Sequence, residues 1–182
     1  MANYEVDPSI LKKYLPAGTE PDEWEGRNYV SLVGFQFFNT RILNMKIPFH
    51  VNFEEVNLRF YVKRKMGNAW QRGVVFISEI VPKMAIAFIA NTLYHENYRS
   101  MPMRSFVSGR GSYEVEYQWK FRGNWNSIKV RTTAAMKEIQ KDSEEEFITE
   151  HYWGFNKINA FKTTAYQVEH PRWNVCTADE YF

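Results

Sequence analysis

Four polar side chains alternate with apolar ones in the segment 52–62, and their types suit them to chemistry. They are Glu55, Asn57, Arg59 and Tyr61, hereafter the polar ladder; the residues between and after them are Val56, Leu58, Phe60 and Val62. Alternate residues of an extended strand point to opposite faces, so the polar ladder shares one face. An acid, an amide, a guanidinium and a phenol each have their own hydrogen-bond geometry. We therefore expect the polar ladder to line a cavity and bind a small molecule there.

Arg59 determines which ligand the polar ladder predicts. A guanidinium presents a planar fork of donors that matches a carboxylate. If Arg59 faces the cavity, the expected ligand is a carboxylate or an oxo-acid. The alternative is that Arg59 lies at the rim and pairs with Glu55, two positions away on the same face.

Three of the four histidines, His95, His151 and His170, raise the question of a metal site. No two of them have the spacing of a zinc-binding motif, so we expect no metal. The segment Ser108–Ser112 (SGRGS) precedes a strand instead of a helix, so we predict a hairpin turn there and no phosphate-binding cofactor. His151 is a candidate acid–base residue, because an imidazole on a buried helix face can titrate near neutral pH. The alternative that we favour is a structural, hydrogen-bonded histidine.

The composition is that of one globular domain. The chain has 182 residues, of which 45% are hydrophobic and 24% charged;. An aromatic content of 17% favours a β-rich fold;. The net charge of +2 gives no field that would attract nucleic acid or an anionic membrane, so we expect neither partner;. Basic residues on two predicted strands are interleaved with Glu114 and Glu116, which indicates a solvated outer face; they are Lys120, Arg122, Lys129 and Arg131.

Cysteine usage and the N-terminus predict a cytoplasmic protein. Cys176 is the single cysteine, which excludes an internal disulfide;. The first residues lack the basic and apolar regions of a signal peptide, and no apolar run approaches the roughly 20 residues that span a bilayer.

Hydrophobic periodicity predicts two or three helices. Asp7 and Pro8 begin a short one carrying Ile10, Leu11, Tyr14 and Leu15. Pro82 is expected to begin a helix that runs to Tyr94, with a buried stripe of Ala85, Phe88, Ile89 and Leu93. Asp142 or Ser143 caps the last helix, which ends at Gly154 and whose inward stripe is Phe147, Ile148, His151 and Tyr152.

The same patterns predict seven or eight strands in hairpin order. A strand from Tyr29 to Asn39 is apolar on both faces and should be central in its sheet. A hairpin connection over residues 63–72 should lead into a strand over 73–81. Further strands are expected over 113–122, around Ile128 and over 160–170. The order of elements predicts an α+β domain around a curved, largely antiparallel sheet.

Six blocks in this order resemble the YqjF-like family, a bacterial group of uncharacterised proteins with an acetoacetate decarboxylase-like fold. The blocks are VDPSILKKYLPAG, EGRNYVSLVGF, NFEEVNLRFYV, GVVFISE, EEEFITEHYW and VEHPRW. The resemblance implies that the sheet curls into a barrel or cone with an internal pocket. It also implies a single domain over residues 1–182 that is clipped at both ends, because members of the family extend further on each side.

The resemblance raises the question of a Schiff-base activity but does not imply one. Acetoacetate decarboxylase uses a lysine in a Pro-Lys-Lys sequence, and its amine must lose its proton to attack a ketone. This chain has Pro82-Lys83-Met84, so Lys83 is a candidate nucleophile that lacks the second lysine. We expect instead that Lys83 is a solvated residue in the first turn of a helix.

Three functions remain open at this point. The first is a small-molecule pocket protein built on the polar ladder. The second is a decarboxylase-like enzyme. The third is a binding module that forms homo-oligomers, since clipped sheet edges and many aromatic residues favour exposed apolar surface.

Overall fold

The computed structural model describes residues 1–40, 51–109, 112–132, 135–168 and 170–182. These residues form fourteen strands, one 3₁₀ helix over Pro8–Leu11 and two α-helices, α1 (Met84–Tyr94) and α2 (Glu144–Thr149). The strands are β1 (Ala2–Val6), β2 (Glu20–Pro21), β3 (Asn28–Phe37), β4 (Phe53–Met66), β5 (Ala69–Val81), β6 (Tyr98–Ser100), β7 (Met103–Ser108), β8 (Tyr113–Phe121), β9 (Asn124–Thr132), β10 (Lys137–Glu138), β11 (Trp153–Lys157), β12 (Thr163–Gln167), β13 (Asn174–Val175) and β14 (Glu180–Tyr181).

The largest sheet has eight strands, and its main path is β1-β3-β4-β5-β11-β12, with β2 beside β4 and β6 beside β5. Both β6 and β11 run parallel to β5, whereas β1 and β3, β2 and β4, and β11 and β12 pair antiparallel. The α+β class with largely antiparallel sheets is confirmed, and so is the central place of β3, between β1 and β4. The predicted barrel or cone is wrong for the described residues, because β1 and β12 end the path without pairing to each other.

The chain divides into two compact units. Unit 1 comprises Met1–Leu32, Leu58–Ile77 and Lys137–Val175; unit 2 comprises Val33–Asn57, Ser78–Met136 and Cys176–Phe182. The single clipped domain stays a prediction. No helix among the described residues is long and apolar enough to cross a bilayer.

In unit 1, β4 is buried on both faces. Phe60 and Val62 pack into one apolar cluster with Leu11, Val30, Val75 and Phe155. Tyr61, between them in sequence, packs into another cluster with Tyr29, Val74, Phe147 and Ile148. Because side chains of a strand alternate, these two clusters lie on opposite faces of β4.

In unit 2, the buried apolar cluster combines β4, β5 and α1. Phe53, Val81, Ile86 and Ala87 form its centre, and Phe37 and Tyr98 pack against it. Unit 2 also contains the antiparallel sheet β14-β9-β8-β7. Gly34 of β3 packs against Tyr117 of β8, where an added Cβ would lie 2.5 Å from the ring, so this position has no room for a side chain.

Several predicted boundaries are wrong, because tertiary packing overrode the local pattern. The predicted connection over 63–72 is mostly strand: β4 continues to Met66 and β5 begins at Ala69. The predicted strand over 160–170 is shorter, since β12 spans only Thr163–Gln167, and it pairs antiparallel with β11. The short first helix ends at Leu11, and the SGRGS turn lies partly outside the described residues.

Both α-helices also differ from their predictions. α1 begins at Met84, two residues after Pro82, and its buried residues are Ile86 and Ala87. Phe88 and Leu93 of the predicted stripe are exposed instead. α2 is capped by the Ser143 hydroxyl and ends at Thr149, so His151 and Tyr152 follow the helix, and Gly154 belongs to β11.

Candidate functional site

A cavity of about 180 Å³ opens between α1 and the strands of unit 2. Its walls are mostly apolar and include four aromatic rings; the lining residues are Phe37, Thr40, Phe53, Ile86, Ile89, Ala90, Tyr94 and Tyr98. The four from α1 follow the helical spacing i, i+3, i+4 and i+8, which places them on one face of the helix. A cavity of about 150 Å³ is large enough for benzene, so this one suits a ring or a short chain of carbons.

Tyr98 is held against α1 by a side-chain amide. Asn91 of α1 donates to the Tyr98 carbonyl at 2.9 Å and accepts from the Tyr98 amide at 2.8 Å. Both backbone polar groups of Tyr98 are therefore paired with one residue, and this fixes where the Tyr98 ring enters the cavity wall.

Behind Tyr98 lies a group of acidic residues from β4, β5 and the loop after α1, hereafter the acid cluster: Glu55, Glu79 and Glu96. The Tyr98 hydroxyl donates to Glu55 Oε2 at 2.8 Å, and Asn57 Nδ2 donates to Glu55 Oε1 at 3.0 Å. Glu55 is 1% exposed and Glu79 2%. Tyr98 thus connects the cavity wall to buried carboxyl groups through one hydrogen bond.

The acid cluster raises the pKa of Glu79 and that of the neighbouring Tyr98. Burial, with the charges of Glu96 and Glu55, raises the pKa of Glu79 well above its usual 4.5;. Burial, with the charges of Glu55 and Glu79, raises the pKa of the Tyr98 hydroxyl well above 10. Tyr98 therefore keeps its proton and acts as a donor to Glu55.

A separate polar group in unit 1 joins Asp22, Arg72 and His151. The Asp22 carboxylate accepts from Arg72 Nε at 2.5 Å and lies 3.3 Å from His151 Nε2. Burial alone would raise the pKa of Asp22, but the hydrogen bonds from His151 and Arg72 outweigh it and lower the pKa below 3.8. Burial lowers the pKa of His151 below 6.5, although the hydrogen bond and the charge of Asp22 act to raise it. A neutral imidazole donating from Nε2 fits this arrangement.

The surroundings of His151 are those of a structural residue. Its ring packs against Tyr61 at 4.9 Å and against Phe147 at 5.3 Å between centroids. Its Nδ1 is buried and has no hydrogen-bond partner among the described residues. The acid–base role of His151 stays a prediction.

The structure gives the four residues of the polar ladder different neighbours. In unit 2, Glu55 belongs to the acid cluster, and the Asn57 side chain donates a hydrogen bond to it. In unit 1, Arg59 Nη2 donates to the Ile148 carbonyl at 3.3 Å, and the Tyr61 hydroxyl lies 2.6 Å from Ser31 Oγ. None of the four lines the cavity described above. Their assignment as ligand contacts stays a prediction.

The remaining candidates have local roles. Lys83 is the half-buried residue at the N-cap of α1, outside the first turn where it was predicted. His95 caps the other end in a left-handed conformation with φ 55°. His170 stacks between Tyr152 and Trp173, at 4.9 Å and 4.4 Å. Within the described ranges, no three His, Cys, Asp or Glu side chains are arranged to hold a metal ion.

In the sheet β14-β9-β8-β7 of unit 2, two acids pair with the basic residues of β9; the predicted solvated face stays a prediction. Glu114 lies 2.5 Å from Lys129 and 3.8 Å from Arg131, which also pairs with Glu180 at 2.7 Å.

The sequence analysis missed Glu79, Tyr98 and Asp22. Glu79 stands in GVVFISE, where its apolar neighbours signal a buried strand and thus a buried carboxyl. The cavity-lining face of α1 was not readable from spacing, since Ile86, Ile89, Ala90 and Tyr94 follow the same i, i+3, i+4 and i+8 spacing as the predicted stripe;.

Comparison with known proteins supports the fold. The sequence model of a family described as "uncharacterized conserved protein" matches residues 1–181. The uncharacterized protein YqjF of Bacillus subtilis is 28% identical over 155 residues, which are 83% of this chain and 61% of that protein. The chain thus spans about three fifths of the length of this relative.

Two solved structures are similar with a TM-score of 0.57. One is acetoacetate decarboxylase from Legionella pneumophila, 14% identical, over 85% of this chain and 53% of the other. The second is an acetoacetate decarboxylase-like enzyme from Sphingomonas wittichii, 12% identical, over 97% of this chain and 82% of the other. At these identities the likeness shows the fold alone, and it confirms the predicted resemblance to an acetoacetate decarboxylase-like fold.

Proposed function

The chain belongs to the DUF2071 family of uncharacterized conserved proteins, and we propose that it binds a small, largely apolar molecule in the unit 2 cavity. One observation carries the proposal: Tyr98 lines an apolar cavity and donates a hydrogen bond to the buried carboxyl of Glu55. Apolar walls with a few fixed polar groups are the usual make-up of a small-molecule site. The walls supply affinity, and the polar groups orient the ligand.

A carboxylate or oxo-acid ligand, which Arg59 suggested, suits this cavity less well. The polar groups behind its wall are carboxyls, and a ligand carboxylate would meet charges of its own sign;. Arg59 is not among the lining residues. Carboxylates nevertheless belong in the test, because they separate the two ligand classes.

A substitution that fills the cavity tests the proposal. Ala90→Leu adds three carbons to the lining, and Ala85→Leu makes the same change at an exposed position of α1. We would measure thermal unfolding of the full chain with short aryl and alkyl compounds: hydrocarbons, alcohols, amines and carboxylates. A ligand at 100 times its Kd stabilises the fold by about 2.7 kcal/mol. The proposal requires at least one ligand that stabilises the wild type and Ala85→Leu but not Ala90→Leu. If no class stabilises the wild type, or if Ala90→Leu responds equally, the cavity is not a binding site.

A decarboxylase-like activity is the second candidate, favoured by the fold and by the place of Lys83 directly before the helix that lines the cavity. The absence of a second lysine counts for little against it. Met84 is 78% exposed, so a lysine there would extend into solvent, where screening weakens its effect on a neighbouring amine;. What the activity would require is that the Lys83 amine enters a dry part of the cavity.

Homo-oligomer formation is compatible with ligand binding and is a proposal about assembly only. Met84 and Phe88, four residues apart on α1, are both more than 70% exposed. Light scattering at several concentrations should show a species larger than 21.7 kDa if this face is covered by a second copy. A monomer at every concentration contradicts it.

A further inference from the structure

The basic residues of the chain are concentrated on one sheet of unit 2. Residues 103–132, which form β7, β8 and β9 with their connections, contain six Lys or Arg against two acids, a net charge of +4, whereas the whole chain carries +2. The net charge alone, from which we expect no nucleic-acid partner, hides this asymmetry.

The two ends of this sheet differ in how their cations are paired. At one end, Glu114 of β8 forms ion pairs with Lys129 and Arg131 of β9. The three cations toward the turn between β8 and β9 are exposed and form no ion pair within the described ranges; they are Arg104, Lys120 and Arg122.

Trp125 of β9 lies beside two of these unpaired cations. It is directly opposite Lys120 in the β8–β9 pairing, and the Arg104 guanidinium lies over its ring, 4.4 Å from the centroid. Gln118 accepts a hydrogen bond from Arg104 Nε, which leaves the other N–H donors of the guanidinium for a ligand;. The Trp125 ring is 44% exposed. We call this set of three cations and one ring the cationic platform: Arg104, Lys120, Arg122 and Trp125.

We propose that the cationic platform binds single-stranded nucleic acid without sequence preference. Its cations complement the backbone phosphates, and a guanidinium matches the geometry of phosphate oxygens. The exposed part of the Trp125 ring offers a surface on which one base stacks. Phe106, which is 54% exposed, lies on the same face of β7 as Arg104, two residues away, and offers a second ring;.

Two other anionic partners fit the cationic platform less well. A duplex presents phosphates but keeps its bases stacked on one another, so the exposed rings would gain no stacking from it. An anionic membrane requires apolar side chains that reach its interior. Trp125 is more than half covered and lies under a guanidinium, so it does not project in this way.

Arg122 stands where a different residue would stabilise the turn better. Arg122 and Gly123 form the two-residue loop between β8 and β9 with φ 49° and 87°, and positive φ at both positions is typical of the type I′ turn that prefers Asn-Gly;. Arg122→Asn therefore removes one cation of the platform and should keep or increase the stability of the hairpin.

The experiment measures fluorescence anisotropy of a fluorescein-labelled single strand of about twelve thymidines, titrated with the full chain at about 0.1 M salt. We expect saturable binding that weakens as the salt concentration increases. A DNA hairpin whose stem has about twelve base pairs should bind at least about tenfold more weakly. If the single strand does not bind, or if the duplex binds as tightly, the inference is wrong. Binding to vesicles of phosphatidylserine and phosphatidylcholine without binding to the single strand would assign the surface to a membrane and overturn it as well.

Variants locate the binding on the sheet. Trp125→Ala should weaken binding of the single strand by about fivefold or more, and Lys120→Gln and Arg122→Asn by about threefold or more. Lys129→Gln is the matched control, because Lys129 lies on the same sheet but already pairs with Glu114, and it should change the affinity by less than about twofold;. Equal effects of Lys129→Gln and Lys120→Gln would overturn the assignment. Circular dichroism establishes that each variant is folded, and Arg122→Asn decides the question if Trp125→Ala does not fold.

Discussion

Glu79 should make the protein less stable as the pH rises, and Glu79→Gln should remove this effect. The carboxyl is 2% exposed and faces the charges of Glu96 and Glu55, so the folded protein holds its proton more tightly than the unfolded chain does. Between the unfolded pKa, about 4.5, and the raised folded pKa, folding takes up a proton. The contribution of Glu79 to stability is therefore complete below pH 4.5 and is lost as the pH rises toward the folded pKa.

The size of the effect follows from linkage. Each pH unit between the two pKa values costs the wild type about 1.4 kcal/mol of unfolding free energy that the glutamine variant does not lose. Glu79 has side-chain hydrogen bonds with Glu96 and Tyr98. Glutamine has nearly the same shape, so any loss of one of these bonds adds an offset of about 1 kcal/mol that does not depend on pH. The unfolding free energy of the variant should thus increase relative to that of the wild type as the pH rises from 4.5.

Urea denaturation of both proteins between pH 4.5 and 8 measures this difference. Glu138→Gln is the matched control, and its difference from the wild type should stay within about 0.5 kcal/mol over the whole range, because the side chain is exposed;. A difference for Glu79→Gln that is constant with pH would refute the argument. It would mean that the Glu79 carboxyl is solvated or neutralised in a way that the structure does not show.

Three further predictions concern unit 1 and Lys83. Phe60→Ala should destabilise the protein by about 3–5 kcal/mol in denaturant titrations, because Phe60 has no exposed surface; a loss under 1 kcal/mol would contradict the packing around it;. His151 has a lowered pKa, so its contribution to stability is present above pH 6.5 and is lost as the pH falls;. The variant His151→Phe should therefore lose less unfolding free energy than the wild type between pH 7.5 and 5.5. Equal losses in the two proteins would be evidence against a buried neutral imidazole. Incubation with acetoacetate and borohydride, followed by mass spectrometry, should leave Lys83 unmodified, whereas an adduct that Lys83→Ala abolishes would establish a Schiff-base enzyme.

The polar ladder shows how much of the fold and of the site could be predicted from the sequence. Its alternation correctly placed β4 and put Val56, Phe60 and Val62 in the core. It also indicated that the polar face is not an ordinary wet surface, since Glu55 and Asn57 are buried. What the alternation could not supply was the set of partners, because these come from strands and loops distant in sequence, such as Tyr98 for Glu55.

The cavity and the helix face needed information that one sequence does not contain. α1 has apolar residues on more than one side, so Phe88 and Ile86 were equally good candidates for burial until the neighbouring strands were placed. The lining of the cavity is assembled from β3, β4, α1 and β6, and no local pattern predicts which of their side chains meet;. The open path of the large sheet is likewise a property of pairing between distant strands.

Binding in the unit 2 cavity can be tested most directly by methyl NMR of isoleucines during a titration with benzylamine, repeated with toluene. Ile86 and Ile89 line the cavity, and Ile148 lies in the core of unit 1 as an internal reference. We predict that the methyl signals of Ile86 and Ile89 shift and saturate with added ligand while that of Ile148 stays in place, and that Ala90→Leu abolishes the shifts. Shifts at Ile148 without shifts at Ile86 and Ile89, or no saturable shift with either compound, would contradict small-molecule binding in this cavity.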